Sequence, residues 1–295
     1  MIGINVSENF AFGDGLTHGE YRQMIDALGE TYAARIRGAE NLAVGWLEKR
    51  IPEEIDAYDR IIDIAHDLIA RAFSTSVIHP GITTTDDVVW WFRQSICDLG
   101  LTAWFHPSVR IQAPGVKYRG EGERTVIRPG DLLHCDVGLR YLGLCTDTQQ
   151  MAYVTKLGES DAPEGLKAAL ATSNRLQDIL AEEFVQGRSG NEILKRALDR
   201  SRSESIDGKI YTHPIGYHGH GAGPTIGLWD AQEGVSGRGD YPLFDDTCHS
   251  MELNSTSSIP EWDGKEAVIA LEQDILFTGG CVYYLAGRQT EYHIL

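Results

Sequence analysis

Residues 132–153 read LLHCDVGLRYLGLCTDTQQMAY and contain the first pair of candidate site residues. Side chains of alternating character on either side of a central glycine predict two β-strands joined by a tight turn. A turn centred on Tyr141 and Leu142 sets Asp136 directly opposite Asp147 on one face, with Cβ atoms about 5 Å apart. Two carboxylates this close repel, so a buried pair shares a proton or binds cations. The hairpin therefore indicates a metal site, unless both acids are simply solvated.

Composition bounds the class of protein. The 295 residues, 42% hydrophobic and 23% charged, are enough for one large soluble domain or one and a half. A formal net charge of −17 argues against nucleic acid or an anionic membrane as partner. The amino-terminal residues show neither the basic nor the apolar region of a signal peptide, and no apolar run approaches the roughly 20 residues of a membrane span. The five cysteines, without C-x-x-C spacing, favour free thiols and a cytoplasmic protein.

Two stretches of the chain show the same order of elements. A helix opens at Pro52, with proline and acids in its first turn, and a second helix follows Gly81-Ile82-Thr83 and ends before Gly100. Gly187 follows Gly81 by 106 positions and again lies between two apolar-periodic helices that lead to a glycine and a strand. The pattern indicates an internal duplication with a site between the halves, or a chance recurrence, since the copies share little sequence.

Further candidate side chains lie in the second half of the chain. The glycine-dense residues 213–235 carry three histidines, which are His213, His218 and His220. In the His-x-His pair, we expect both imidazoles on one face of a strand, although a single histidine is more often structural than a ligand. Glu272 and Glu291 each stand within or at the end of an apolar strand-like run. Burying an isolated carboxylate costs several kcal/mol, and a shared cation offsets that cost.

The predicted metal ligands are four carboxylates and one imidazole: Asp136, Asp147, His220, Glu272 and Glu291. This oxygen-rich set suits two divalent ions, Mn²⁺ first, with Co²⁺, Fe²⁺ or Zn²⁺ as alternatives, better than a thiolate zinc site does.

These residues resemble the signature of the creatinase/prolidase/aminopeptidase P/methionine aminopeptidase superfamily, the M24-type metallopeptidases, and among them the Xaa-Pro peptidases most. The two aspartates stand eleven residues apart, His220 lies in Gly-His-Gly, and the glutamates lie in Ala-Leu-Glu-Gln and Gly-Arg-Gln-Thr-Glu. The resemblance covers residues 46–295. It implies an α+β pita-bread fold, in which two duplicated βαβ-type halves surround a curved antiparallel sheet. Residues 1–45 resemble the tail of a separate amino-terminal domain.

The resemblance also implies a mechanism. Asp136 would chelate one ion, Asp147 and Glu291 would bridge both, and His220 and Glu272 would complete the coordination of the second ion. A hydroxide bridging the ions would attack the peptide bond before proline, with Glu272 as general base and His220 and His218 as further catalytic residues. A homodimer is the expected assembly.

The sequence departs from the superfamily signature at two places, and these differences leave the identity of the substrate open. The superfamily's further histidines are absent near Tyr118-Arg119 and in residues 227–233, where the chain reads GLWDAQE. His218 either replaces one of them or is a hydrogen-bonded loop residue. The alternatives to an Xaa-Pro peptidase are a hydrolase or lyase acting on a small non-peptide, such as an amidine or a sulfonium acid, and a non-catalytic binding module.

Overall fold

The computed structural model describes residues 1–119 and 124–295. Over these ranges the helices are α1 (His18–Ala33), α2 (Glu40–Glu48), α3 (Pro52–Ala72), α4 (Thr85–Asp98), α5 (Glu164–Glu182) and α6 (Gly190–Ser203). The strands are β1 (Ile2–Ile4), β2 (Ile36–Gly38), β3 (Thr102–Ala103), β4 (Ser108–Ala113), β5 (Val116–Arg119), β6 (Leu132–Val137), β7 (Leu139–Tyr141), β8 (Leu144–Cys145), β9 (Thr148–Tyr153), β10 (Asp207–Ile215), β11 (Thr247–Ile259), β12 (Lys265–Thr278), β13 (Cys281–Tyr284) and β14 (His293–Ile294).

One large sheet organises the molecule. Its strands run in the order β10-β11-β12-β9-β6-β4-β5, with β13 beside β12 and β14 beside β9, and all of these pairs are antiparallel except β14 with β9. Helices α3 and α4 pack on the half that contains β4, β6 and β9, while α5 and α6 pack on β10, β11 and β12. The predicted α+β pita-bread architecture is confirmed.

Side-chain alternation along the strands separates the helix-facing core from the opposite face. In β6, Leu133, Cys135 and Val137 are fully buried in the core beneath the helices. His134 and Asp136 alternate with them and therefore project from the other face of the sheet. The polar face of the sheet is where the candidate site lies.

The duplication appears as matching backbone contacts. Thr84 caps α4 and Ser189 caps α6, each within a capping box. The N–H of Gly81 donates to the carbonyl of Ile127 at 2.7 Å, and the N–H of Gly187 donates to that of Leu243 at 2.8 Å. Leu243 follows Ile127 by 116 positions, close to the offsets between the starts of β6 and β11 and between the starts of β9 and β12.

The predicted hairpin forms, but its turn lies one residue further along the chain. Leu142 and Gly143 both have positive φ, at 52° and 83°, as a two-residue type I′ turn requires. Asp136 is consequently paired with Gln149 and not with Asp147. When the turn moves by one residue, each residue of the first strand pairs with a residue two positions further along the second strand. Because side chains alternate with a period of two, such a shift leaves every side chain on the same face. Asp147 therefore stays on the face of Asp136, as its diagonal neighbour.

The amino-terminal residues form a small unit of their own. Strands β1 and β2 pair in parallel, and Thr17 caps α1, while Gly29 (φ 61°, ψ 172°) interrupts this helix. The assignment of residues 1–45 to a separate amino-terminal domain stays a prediction. Across residues 1–119 and 124–295, every helix falls short of the length and apolar character that a membrane crossing demands.

Candidate metal centre

A single row of polar side chains crosses six strands of the sheet. Directly paired residues on neighbouring strands share a face, and the pairings connect β10, β11, β12, β9, β6 and β4 in turn. The row reads Tyr211, Glu252, Glu272, Gln149, Asp136 and Ser108. Three of its six members are acids, and Asp147 lies beside them.

These acids are close enough to share cations. Asp136, Asp147 and Glu272 each offer an oxygen within 4.8 Å of the others. Burial, followed by repulsion from Glu272 and Asp136, raises the pKa of Glu252 to about 10. Burial likewise raises the pKa of Glu272 to about 7 and holds that of Asp147 well above its ordinary value. Bound cations would remove this penalty and keep all four carboxylates ionised.

The buried imidazole of the site belongs to His213. Its Nε2 lies 3.6 Å from an oxygen of Asp147 and 3.6 Å from an oxygen of Glu272. Among the residues that the structure describes, this Nε2 has no hydrogen-bond partner. Burial lowers the pKa of His213 to about 4, so the ring is neutral and can act as a ligand. The donor set therefore fits divalent ions.

His220 lies at the mouth of the same site. Its ring is 4.6 Å from that of His213 and 5.2 Å from that of Trp104, and it offers a nitrogen within 4.8 Å of ligand atoms on Asp147 and His213. It is exposed and sits in an irregular loop after β10, so the expectation of a strand for the His-x-His pair is wrong. Of the predicted ligands, the structure thus brings together Asp136, Asp147, His220 and Glu272.

A small cavity of about 240 Å³ opens onto these groups. Its walls combine the acids with aromatic side chains, and its lining comprises Trp104, Phe105, Asp136, Asp147, Tyr211, His220, Trp229, Glu252 and Glu272. The indole N–H of Trp104 donates to the carbonyl of Thr146 at 2.8 Å, which fixes one wall against the hairpin.

Two predicted site residues lie elsewhere. Glu291 is exposed and lines a different cavity with Asp161 and Lys167, because the chain after β13 returns to pair with β9 at Ala152 and Tyr153, away from the acidic row at Gln149. Glu252 occupies the place in the site that we expected Glu291 to take. His218 stacks on Phe12 with ring centroids 3.6 Å apart, because its loop turns this side chain towards the amino-terminal residues. We therefore correct the assignment of both residues.

Sequence reasoning missed Glu252, but a signal for it existed. Glu252 follows Asp136 by 116 positions, which is the offset between Ile127 and Leu243. The two acids are thus equivalent residues of the two halves. His213 is one of the three histidines that the sequence offers; it lies two residues beyond Tyr211 in β10 and therefore on the same face of that strand.

Sequence comparison assigns the family. The model of metallopeptidase family M24 matches residues 56–279, which include all four acids of the site and His213. The chain belongs to metallopeptidase family M24. Glu291 lies outside the matched residues.

Individual relatives agree with this assignment. The chain is 26% identical over 148 residues to a putative Xaa-Pro aminopeptidase of Mycoplasma genitalium, and the match spans 50% of this chain and only 39% of that relative. Solved structures with the same fold include the X-Pro aminopeptidase of Thermotoga maritima (TM-score 0.70, 15% identity, 95% of this chain and 73% of that one). The methionine aminopeptidase of the same organism is also similar (TM-score 0.58, 19% identity, 82% of this chain and 100% of that one).

Proposed function

We propose that this chain is a metal-dependent hydrolase of the Xaa-Pro aminopeptidase or dipeptidase type. The observation that carries the proposal is the buried row of acids beside the neutral imidazole of His213, in a member of family M24. The Xaa-Pro peptidases among its relatives support proline as the residue after the scissile bond.

The metal ligands of the proposal are Asp136, Asp147, His213, Glu252 and Glu272. When bound, two divalent ions would lower the pKa of a water shared between them and polarise the scissile carbonyl. Glu272 is buried in the middle of the row, among the proposed ligands, and we assign it the role of accepting the proton of that water.

Groups around the cavity would bind the substrate. His220 lies at the mouth, where its exposed ring can donate a hydrogen bond to the peptide. Trp104, Phe105 and Trp229 offer aromatic faces against which a proline ring can pack. The volume of about 240 Å³ favours a compact substrate.

The same cavity supports a second candidate, the hydrolysis of a small cationic non-peptide such as an amidine. Aromatic faces beside carboxylates attract cations, and four aromatic residues line this cavity together with four acids. The two candidates share the metal site and differ in substrate alone.

The remaining details of the proposal come from donor chemistry and composition. Carboxylate-rich ligation favours Mn²⁺, with Co²⁺, Fe²⁺ and Zn²⁺ as alternatives. The five cysteines are free, which suits the reducing cytoplasm. A homodimer is the assembly we propose for the active form.

Metal analysis followed by a substrate panel tests the proposal. The full chain is incubated with Mn²⁺, desalted, and analysed for metal; we expect two ions per chain, and their loss in Asp147→Asn. The loaded enzyme is then assayed on Xaa-Pro dipeptides, on matched Xaa-Ala dipeptides and on small amidines. Turnover of Xaa-Pro alone supports the proposal, turnover of amidines alone supports the second candidate, and failure to retain any divalent ion refutes both.

A further inference from the structure

Gln149 occupies the centre of the acidic row, at the seam between the two halves of the sheet. It lies on β9, the last strand of the first half, and is paired with Glu272 on β12 of the second half. Asp136 of the first half is its partner on the other side. An uncharged side chain thus stands between acids that come from opposite halves.

The amide of Gln149 is fully engaged in hydrogen bonds. Its Nε2 donates to Oε1 of Glu252 at 2.5 Å and to Oε2 of Glu272 at 2.7 Å. Its Oε1 lies 2.8 Å from Nε2 of His134, which is also buried and on the first half of the sheet. Both donors of the amide and its acceptor therefore have partners.

Hydrogen-bond chemistry determines which end of the Gln149 amide faces the glutamates and which end faces His134. When bound cations keep Glu252 and Glu272 ionised, both carboxylates only accept hydrogen bonds, so the amide nitrogen must face them. The amide oxygen then faces His134, which must carry its proton on Nε2 to donate. A rotation of the amide by 180° would point its oxygen at two carboxylates and leave His134 facing a donor. His134 thus determines the orientation of Gln149.

We propose that Gln149, oriented by His134, is a positioning residue that holds Glu252 and Glu272 in place as metal ligands across the seam. This inference rests on the proposed function, since it assigns both glutamates to the metal centre. Hydrogen bonds to ligand carboxylates orient them before the ion arrives, and losing such a partner typically weakens metal binding 10–100-fold.

The next residue of β9 supplies a matched control. Gln150 projects from the opposite face of the sheet, and its Oε1 lies 2.7 Å from Nε2 of His293. It is a buried glutamine in contact with a histidine, like Gln149, but it touches none of the acids of the site. Substituting methionine removes the amide at either position with little change of volume.

The experiment measures Mn²⁺ dissociation constants of the metal-free full-length chain by isothermal titration calorimetry, together with the thermal midpoint of each metal-free variant. For Gln149→Met we expect a 10–100-fold higher dissociation constant, and for Gln150→Met a change within about twofold. His134→Leu should weaken binding in the same direction. The double variant Gln149→Met/His134→Leu should bind no worse than Gln149→Met, because His134 acts through Gln149.

The experiment distinguishes a failure of this inference from a failure of the proposed function. Equal affinity in Gln149→Met and wild type overturns the inference, and so does an equal loss in Gln149→Met and Gln150→Met, which would mark a general effect of lost core hydrogen bonds. If Gln149→Met does not fold, His134→Leu decides, with unchanged affinity as the refuting result. A wild-type chain that binds none of Mn²⁺, Co²⁺, Fe²⁺ and Zn²⁺ refutes the proposed function itself.

Discussion

Replacing Glu252 by glutamine tests whether Glu252, as the structure indicates, or Glu291, as the sequence predicted, is a metal ligand. Glu252 is 9% exposed, and its carboxylate lies within 4.8 Å of ligand atoms on His213 and Glu272. A unit charge about 4 Å from another contributes about 4 kcal/mol at an effective dielectric constant of about 20. That energy corresponds to about 10³-fold in a dissociation constant. Glutamine also relieves the repulsion among the acids, which offsets part of the loss, so we expect Mn²⁺ to bind at least about 100-fold more weakly.

Glu291→Gln is the control, because this carboxylate is exposed and lines another cavity. Its removal should change Mn²⁺ affinity by no more than about twofold. Calorimetric titration of both metal-free variants measures the difference, and turnover of an Xaa-Pro dipeptide at saturating Mn²⁺ provides a second readout. The reasoning is refuted if Glu291→Gln loses the metal while Glu252→Gln retains it.

Three further predictions address the imidazoles, pH and the duplicated caps. His213→Asn should lose bound metal in elemental analysis, whereas His220→Asn should keep it and lose turnover at least about 10²-fold. Burial raises the pKa of Glu48 to about 8, so the folded chain keeps a proton that the unfolded chain releases. This residue should lower stability between about pH 5 and pH 8 by up to about 1.4 kcal/mol per pH unit. Denaturant titrations of Glu48→Gln should show a slope smaller by that amount, and the buried acids of the site account for the slope that remains. Thr84→Ala and Ser189→Ala should each cost about 1 kcal/mol, and the losses should add in urea unfolding of the double variant because the caps belong to different halves.

The helices were predictable because their signals are local. Pro52 with its acids starts α3, and the capping boxes at Thr84 and Ser189 start α4 and α6 close to where the sequence indicated. Each of these signals acts within one helical turn and needs no information from the rest of the chain.

The site was predictable only in part, because its geometry depends on contacts between distant strands. The eleven-residue spacing identified Asp136 and Asp147 even though the turn lies one residue further along, because the resulting shift of two residues in strand pairing leaves both side chains on one face. Glu252 escaped notice because its strand, TCHSMELNSTSSI, has no apolar run that would mark a carboxylate as buried. Its burial follows from pairing with β10 and β12, and that pairing is a property of the whole sheet.

The duplication explains why neither half can form the metal centre alone. The first half supplies Asp136 and Asp147, and the second supplies His213, Glu252 and Glu272. The ligand atoms approach one another only when β9 and β12 lie side by side, where Gln149 meets Glu272. An ion held by ligands from both halves opposes their separation, and any ligand that binds the folded state alone stabilises it. With the proposed ligands, metal binding would therefore be coupled to the pairing of the two halves, and a substitution at the seam would weaken the metal site and the structure together.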